Sequence, residues 1–350
     1  MLCKKRDSNI ELLRMLAMFQ VLLVHADFYS LGYPSVEHVQ NEFLDSLLRF
    51  FFESVSIVCV NVFILISGWF GIKPSFKGAC NFIFQCVFFL TGAYLVALII
   101  GTSTISKLGI AGCIGATTHN WFIKAYLLLY ILSPVLNTFV EHATRKTFKT
   151  VLLCFFAFVC TYGWYGAAKF MMGGYSPLFF IGLYLLARYM RLYNPSFMHF
   201  KITTDILIYC GVCLFVTFAS ISAPLFLNRF FIAFYDYISP TCIIAAVYLF
   251  LTFSKIRFYC KFVNWCGISC FAVFLLHKNP STLYHYKNLF AYLHTIYSPL
   301  QYWLVTMLIL VVIFLLAVTI DKIRILLWRN ILLFVEFCAS KSNKCESLTK

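Results

Sequence analysis

Long apolar runs separated by short polar segments cover nearly all of the 350 residues. One membrane crossing takes about 20 predominantly apolar residues. Runs of that kind at about 10–30, 44–70, 78–100, 120–140, 148–166, 176–193, 203–222, 236–254, 262–277 and 301–320 predict ten spans. They are continuous rather than alternating, so they read as helices and not as the strands of a barrel. The expected fold class is all-α, a polytopic membrane helix bundle. Polar punctuation falls between the runs: GIKPSFKG after the second, PSFMHFK between the sixth and seventh, SAPLFLNR between the seventh and eighth. The division that follows is an N-terminus at 1–9, a membrane domain at 10–320 and a basic tail at 321–350. The tail (KIRILLWRNILLFVEF) either continues the last helix or lies along the surface as an amphipathic helix. The basic start and first apolar run resemble a signal peptide, but no small-residue cleavage site follows, so the run is read as a retained span.

Composition agrees. Hydrophobic residues make up 62% and charged residues only 12%, against about a quarter charged in soluble domains. The net charge of +15 raises the question of nucleic acid, and mapping the charges answers it. With the N-terminus inside, twenty of the 28 Lys and Arg residues fall in inner segments, five in outer ones and three within spans. That asymmetry is the positive-inside pattern. It places both termini in the cytoplasm and leaves no basic excess for nucleic acid. The fifteen Cys are scattered through the spans, and the one C-x-x-C, Cys210 and Cys213, sits in an apolar helix. They read as small hydrophobes, so no metal is expected.

The first span carries chemistry that a lipid anchor does not need: Glu11, Arg14, His25 and Asp27. Eleven residues at about 100° each make three turns plus about 20°, so Arg14 and His25 share a helix face, about 16–17 Å apart along the axis. Glu11, three residues before Arg14, can pair with it. Arg14 alone could snorkel to the inner headgroups, and His25 alone could be a satisfied interhelical histidine. Together on one face they favour a polar cavity in the bundle. Histidine takes a proton near neutral pH and can deprotonate a hydroxyl. Arginine holds phosphate or carboxylate with a fixed charge.

An arginine and a histidine so spaced in the first span resemble the acyltransferase 3 family of integral-membrane acyltransferases. VNVFILISGWFGIK (60–73) is similar to that family's F-F-x-x-S-G-[FYW] segment. HNWFIKAYLLLYILSPVLN (119–137) is similar to its W-[FY]-[IL]-x-x-[YL]…L-S-P segment, and GISCFAVFLLHKNP (267–280) to its I-S-[YF]-x-x-Y-L-x-H-x-P segment. The four pieces lie in the family's order across spans 1 to 9. The resemblance implies a ten-span core in the cytoplasmic membrane of a bacterium. It implies transfer of an acyl group, usually acetyl, from cytoplasmic acyl-coenzyme A to a hydroxyl of a cell-surface polysaccharide or lipid-linked glycan. It makes His25 the general base and Arg14 a donor-side catalytic and binding residue. Many members carry R-x-x-R after span 2. Here Lys73 and Lys77 stand in KPSFK, able to attract phosphate but without the arginine fork.

Candidate acceptor ligands gather toward the outer ends of the spans: Glu53, His119, Asn120, Trp121 and His277. Each has a competing structural role. Trp121 suits an aromatic belt, Glu53 could pair with Arg49 four residues earlier, and His277 could be interfacial. Ser67 and Gly68 read as a site of close helix approach. A transporter or flippase of a glycan or lipid-linked intermediate is the alternative class. It fits intramembrane polar residues, but no inverted repeat is seen and most prolines lie near span ends. An inactive homologue acting as a scaffold is a third.

Overall fold

The computed structural model describes residues 6–115, 121–227 and 232–348, with side chains along the last helix as far as Phe337. The described chain is helical: α1 (Ser8–Ala26), α2 (Phe28–Leu31), α3 (Val36–Asn41), α4 (Phe43–Ser56), α5 (Cys59–Phe70), α6 (Phe76–Ile99), α7 (Lys107–Cys113), α8 (Trp121–His142), α9 (Arg145–Phe158), α10 (Pro177–Tyr193), α11 (Ile202–Ser222), α12 (Pro240–Lys255), α13 (Lys261–Gly267), α14 (Cys270–His277), α15 (Pro280–Ile296) and α16 (Pro299–Leu348). Helix starts carry the residues that satisfy free N–H groups. Ser75, Thr144, Ser176 and Asn279 accept from backbone N–H groups two or three residues on. Pro177, Pro240 and Pro280 stand in the first turn, where no N–H is needed.

Each of the ten expected runs is helical, but not all are full crossings. Among the described residues, eight helical stretches are long and apolar enough to span a membrane. The sixth run is α10, whose 17 residues fall just short. The ninth is broken into α13 and α14 around Ile268 and Ser269. There Gly267 faces α1, and a Cβ on it would lie 2.8 Å from the Glu11 Cβ. The chain is thus a multi-pass membrane helix bundle. α15 was not expected as a helix, because PSTLYHYKNLFAYLHTI is too polar to read as a span. α16 runs for 50 residues, so the tail continues the last helix. At about 1.5 Å per residue it is about 75 Å long, more than twice the hydrocarbon thickness.

α1 occupies the middle of the bundle and packs on α4, α5, α12, α13, α14, α15 and α16. α5 also packs closely on α10. Gly68 makes that approach possible: a Cβ there would lie 2.8 Å from the Ala187 Cβ, as the small-residue reading anticipated. Buried ion pairs tie helices together. Arg49 Nε donates to Asp27 Oδ1 at 2.6 Å, and its Nη2 donates to the Gly32 carbonyl. Arg324 pairs with Asp321 at 2.8 Å, and Gln85 of α6 donates to Asp321 at 3.2 Å. Lys255 of α12 pairs with Asp205 of α11.

Candidate active site

His25 lies in the last turn of α1, where the helical pairing of backbone carbonyls ends with Asp27 N–H to Leu23. Neighbours supply the donors. Tyr286 Oη donates to the Leu22 carbonyl at 2.7 Å, Tyr302 Oη to Ala26 at 3.3 Å, and Ser30 Oγ to the carbonyl of His25 itself. α15 and α16 therefore clamp the end of α1 and fix the backbone that carries the histidine. His25 Nδ1 lies 2.9 Å from His277 Nε2 across the α1–α14 contact. On its other side His277 Nδ1 lies 2.7 Å from the Val273 carbonyl.

His25 lines a cavity of about 520 Å³ together with Glu53, Trp121, Tyr29, Tyr33, Asp236 and Lys278. Glu53 is 3% exposed, and its Oε2 has no hydrogen-bond partner. Arg49 is engaged with Asp27, so the Arg49–Glu53 pairing weighed from the sequence does not form among the ion pairs of the bundle. Trp121 packs against Tyr175, Phe180 and Tyr237, with ring centroids 4.5, 5.9 and 6.1 Å away, forming an aromatic wall. Tyr29 presents its ring edge-on to His25, centroids 5.2 Å apart. Lys278 is the first residue past α14, and its Nζ sits 3.5 Å from the Tyr29 ring centroid. Burial, and after it the neighbouring Lys287, pulls the Lys278 ammonium down to about 8. Burial, then the Glu53 and Asp236 carboxylates, pushes the Tyr33 phenol above its usual range.

Arg14 lies three turns down the same face and is held by Glu11, Nη1 to Oε1 at 2.6 Å. It lines two further cavities of about 310 and 290 Å³. The first is also lined by Lys73, Ser67, Tyr126 and Tyr130. Its wall includes Gly71 to Lys73, a loop pinned by side chains. Tyr184 Oη takes the Ile72 N–H at 3.1 Å, Asn137 Nδ2 donates to the Ile72 carbonyl at 2.9 Å, and Tyr130 Oη takes the Ser75 N–H at 2.9 Å. Lys77 is exposed at the start of α6 and is not among the residues lining that cavity. Phe63, Phe122 and Phe271 line both the His25 cavity and the smaller Arg14 cavity, so three aromatic rings stand between the two ends.

The structure therefore gathers His25, Glu53 and Trp121 at one cavity and Arg14 with Lys73 at another. His277 backs His25 with both ring nitrogens engaged. The substrate contact read from the sequence would need one of those two contacts to open. His119 and Asn120 lie outside the described residues. Sequence reading missed Lys278, Tyr29, Tyr33 and Asp236. Tyr29 had a partial signal, standing four residues after His25, although α1 ends at Ala26 and Tyr29 lies on α2, and Lys278 directly follows His277. Asp236 had none, because its place depends on how the segment before α12 folds back. A family model described as an acyltransferase domain, acyltransferase 3, matches residues 7–322. No curated protein and no solved structure matches the chain.

Proposed function

The chain belongs to the acyltransferase 3 family and is a membrane acyltransferase; from that premise we propose that it moves an acetyl group from acetyl-coenzyme A to a hydroxyl of a cell-surface polysaccharide or lipid-linked glycan in a bacterial cytoplasmic membrane, with His25 as general base. The observation that carries the reading is the Val273–His277–His25 chain. A carbonyl only accepts, so His277 Nδ1 bears its proton. Neutral His277 then offers a lone pair at Nε2, and His25 donates to it from Nδ1. That assignment leaves the His25 Nε2 lone pair free for a substrate proton.

In the proposed reaction Nε2 removes the proton of the acceptor hydroxyl as its oxygen attacks the thioester carbonyl carbon. The C–S bond breaks, an ester forms, and the imidazolium returns the proton to the departing thiolate. Trp121 and its tyrosine neighbours supply a face on which a sugar ring can stack, and Glu53 Oε2 is a free acceptor for its hydroxyls. At the other end, Arg14 and Lys73 attract the donor's phosphates. Lys77, exposed nearby, adds to the field alone. The α1 face links the two ends over about 16–17 Å.

The test compares wild type with His25→Ala and Arg14→Ala, each purified in lipid nanodiscs at matched amounts. Labelled acetyl-coenzyme A is the donor and de-O-acetylated glycans of the producing cells are the acceptors. His25→Ala should lose transfer by about a hundredfold or more while still binding the donor. Arg14→Ala should weaken donor binding. Unchanged transfer in His25→Ala, or no donor binding by the wild type, rejects the proposal; the second result would fit a flippase.

A further inference from the structure

Among the described residues, buried charged side chains have charged partners, with two exceptions. Glu11 has Arg14, Asp27 has Arg49, Asp205 has Lys255 and Asp321 has Arg324. Asp45 accepts from His38 and His294. Glu53, 3% exposed, and Lys278, 6% exposed, make no ion pair among the described residues. Both line the His25 cavity, yet they do not meet. Withdrawing a charge from water is costly unless a partner replaces the water. An unpaired cation and an unpaired carboxyl group on the wall of one cavity point to a partner that arrives with the ligand.

The cationic side is the more specific. Lys278 Nζ lies 3.5 Å from the Tyr29 ring centroid and half-buried Lys287 Nζ lies 4.9 Å from the same centroid. The ring attracts both ammonium groups but neutralises neither, and the second cation adds repulsion to the desolvation of the first. Tyr29 in turn touches His25, so this doubly positive patch adjoins the proposed base.

We propose that the acceptor is anionic, with a carboxylate or phosphate of the glycan seated against Lys278 while its hydroxyls reach Glu53 and His25. The inference rests on the acyl-transfer reading and adds the charge class of its substrate. An uncharged glycan would leave the Lys278 ammonium desolvated and unpaired. An anionic one completes a charge-assisted contact on the wall where the attacking hydroxyl must be aimed.

The experiment separates de-O-acetylated glycans of the producing cells by anion exchange into neutral and anionic pools. Each is offered to the purified protein with labelled acetyl-coenzyme A. Label is expected in the anionic pool. Reduction of its carboxylates to alcohols should abolish labelling if the anion is a uronate-type carboxylate, and dephosphorylation should do so if it is a phosphate. Lys278→Met keeps the apolar stem and removes the charge. It should raise the acceptor KM about tenfold to a hundredfold, the size of a lost charge-assisted contact, with kcat within about twofold. Lys278→Arg should stay near wild type. If Lys278→Met does not elute as a folded protein, Lys287→Met weakens the same field from a half-buried position and should raise KM several-fold. Preferential labelling of the neutral pool, or an unchanged KM in the charge-removing variant, overturns the inference while leaving acyl transfer standing. Label in neither pool overturns the acyl-transfer reading and this one with it.

Discussion

Removing the His277 ring tests whether that residue acts on substrate or through His25. In His277→Ala, His25 Nδ1 loses the acceptor now 2.9 Å away. A neutral hydrogen bond is worth about 1 kcal/mol net, and a buried donor left unpaired costs about 1–3 kcal/mol. Without that acceptor His25 keeps only the Val21 backbone contact one turn back, and the proton can move to Nε2, which silences the lone pair that faces the cavity. An orienting contribution of about 1–3 kcal/mol corresponds to a loss of roughly fivefold to 150-fold in kcat. Loss of the proposed base, in His25→Ala, should cost about a hundredfold to ten-thousandfold. The assay is a time course of acetyl transfer by the protein in nanodiscs, with acceptor concentration varied. His277→Ala should lower kcat and leave the acceptor KM alone, and His277→Gln, whose amide oxygen can accept, should recover part of the rate. The double variant should be no slower than His25→Ala, since residues acting as a unit are not additive. A raised KM with intact kcat would make His277 a substrate ligand, and a further loss in the double variant would refute the relay.

Other substitutions probe the frame and the site. Arg49→Met strands the Asp27 carboxylate in the bundle and should destabilise it by about 3–5 kcal/mol, whereas Asp27→Asn with Arg49→Met should regain most of that; unfolding in detergent checks both, and equal stability of the two variants would count against the pair. Gly68→Val places atoms against Ala187 and should cost about 1–3 kcal/mol, read as a lowered melting temperature; an unshifted one would show that α5 and α10 can separate freely. Lys287 on α15, His25 and Tyr29 at the α1–α2 corner and His277 on α14 lie about Lys278, and Glu53 and Asp236 line the same cavity. The Lys278 ammonium is charged below about 8 and neutral above it, so kcat/KM for an anionic acceptor should fall as pH rises through about 8. That limb should vanish in Lys278→Arg, and its persistence there would assign it to another group. Phe122→Ala thins the partition between the cavities and should raise acetyl-coenzyme A hydrolysis relative to transfer; an unchanged ratio of free acetate to ester would deny it that role.

The elements were legible where apolar length and punctuation coincide, and less so where tertiary contact decides. α1, α4 to α6, α8, α11 and α12 follow from runs bounded by Ser, Pro and Lys. The break between α13 and α14 does not, because CGISCF reads as uninterrupted apolar chain and only the approach of Glu11 to Gly267 marks it. α15 was hidden for the opposite reason: its buried residues, Leu283, Tyr286, Phe290 and Leu293, keep helical spacing inside a polar stretch. In the site, the shared face of Arg14 and His25 follows from arithmetic on one helix. The placing of Glu53, Trp121 and His277 around His25 needs three further helices in contact. Lys278 was counted only as an outer lysine, since sequence gives its charge but not the lack of a counter-ion.

The three rings of Phe63, Phe122 and Phe271 give the two ends of the site their separate characters. An arginine and a histidine along one face of a central helix would, with water between them, form a leak across the bundle. Hydrated ions and protons carried on water do not readily cross an aromatic partition, because charge is costly there. A thin, uncharged pantetheine arm carrying an acetyl thioester meets a smaller penalty. Under the proposed reaction, Arg14 and Lys73 on one side, His25, Glu53 and Trp121 on the other, and apolar rings between them would suit transfer of an acyl group whose donor's charge stays behind. In the proposed reaction the partition would also keep water from the thioester until an acceptor hydroxyl occupies the His25 cavity. On this view the polar residues of α1 do not describe a channel. They mark two half-sites, and the residues that join them chemically are the apolar ones between.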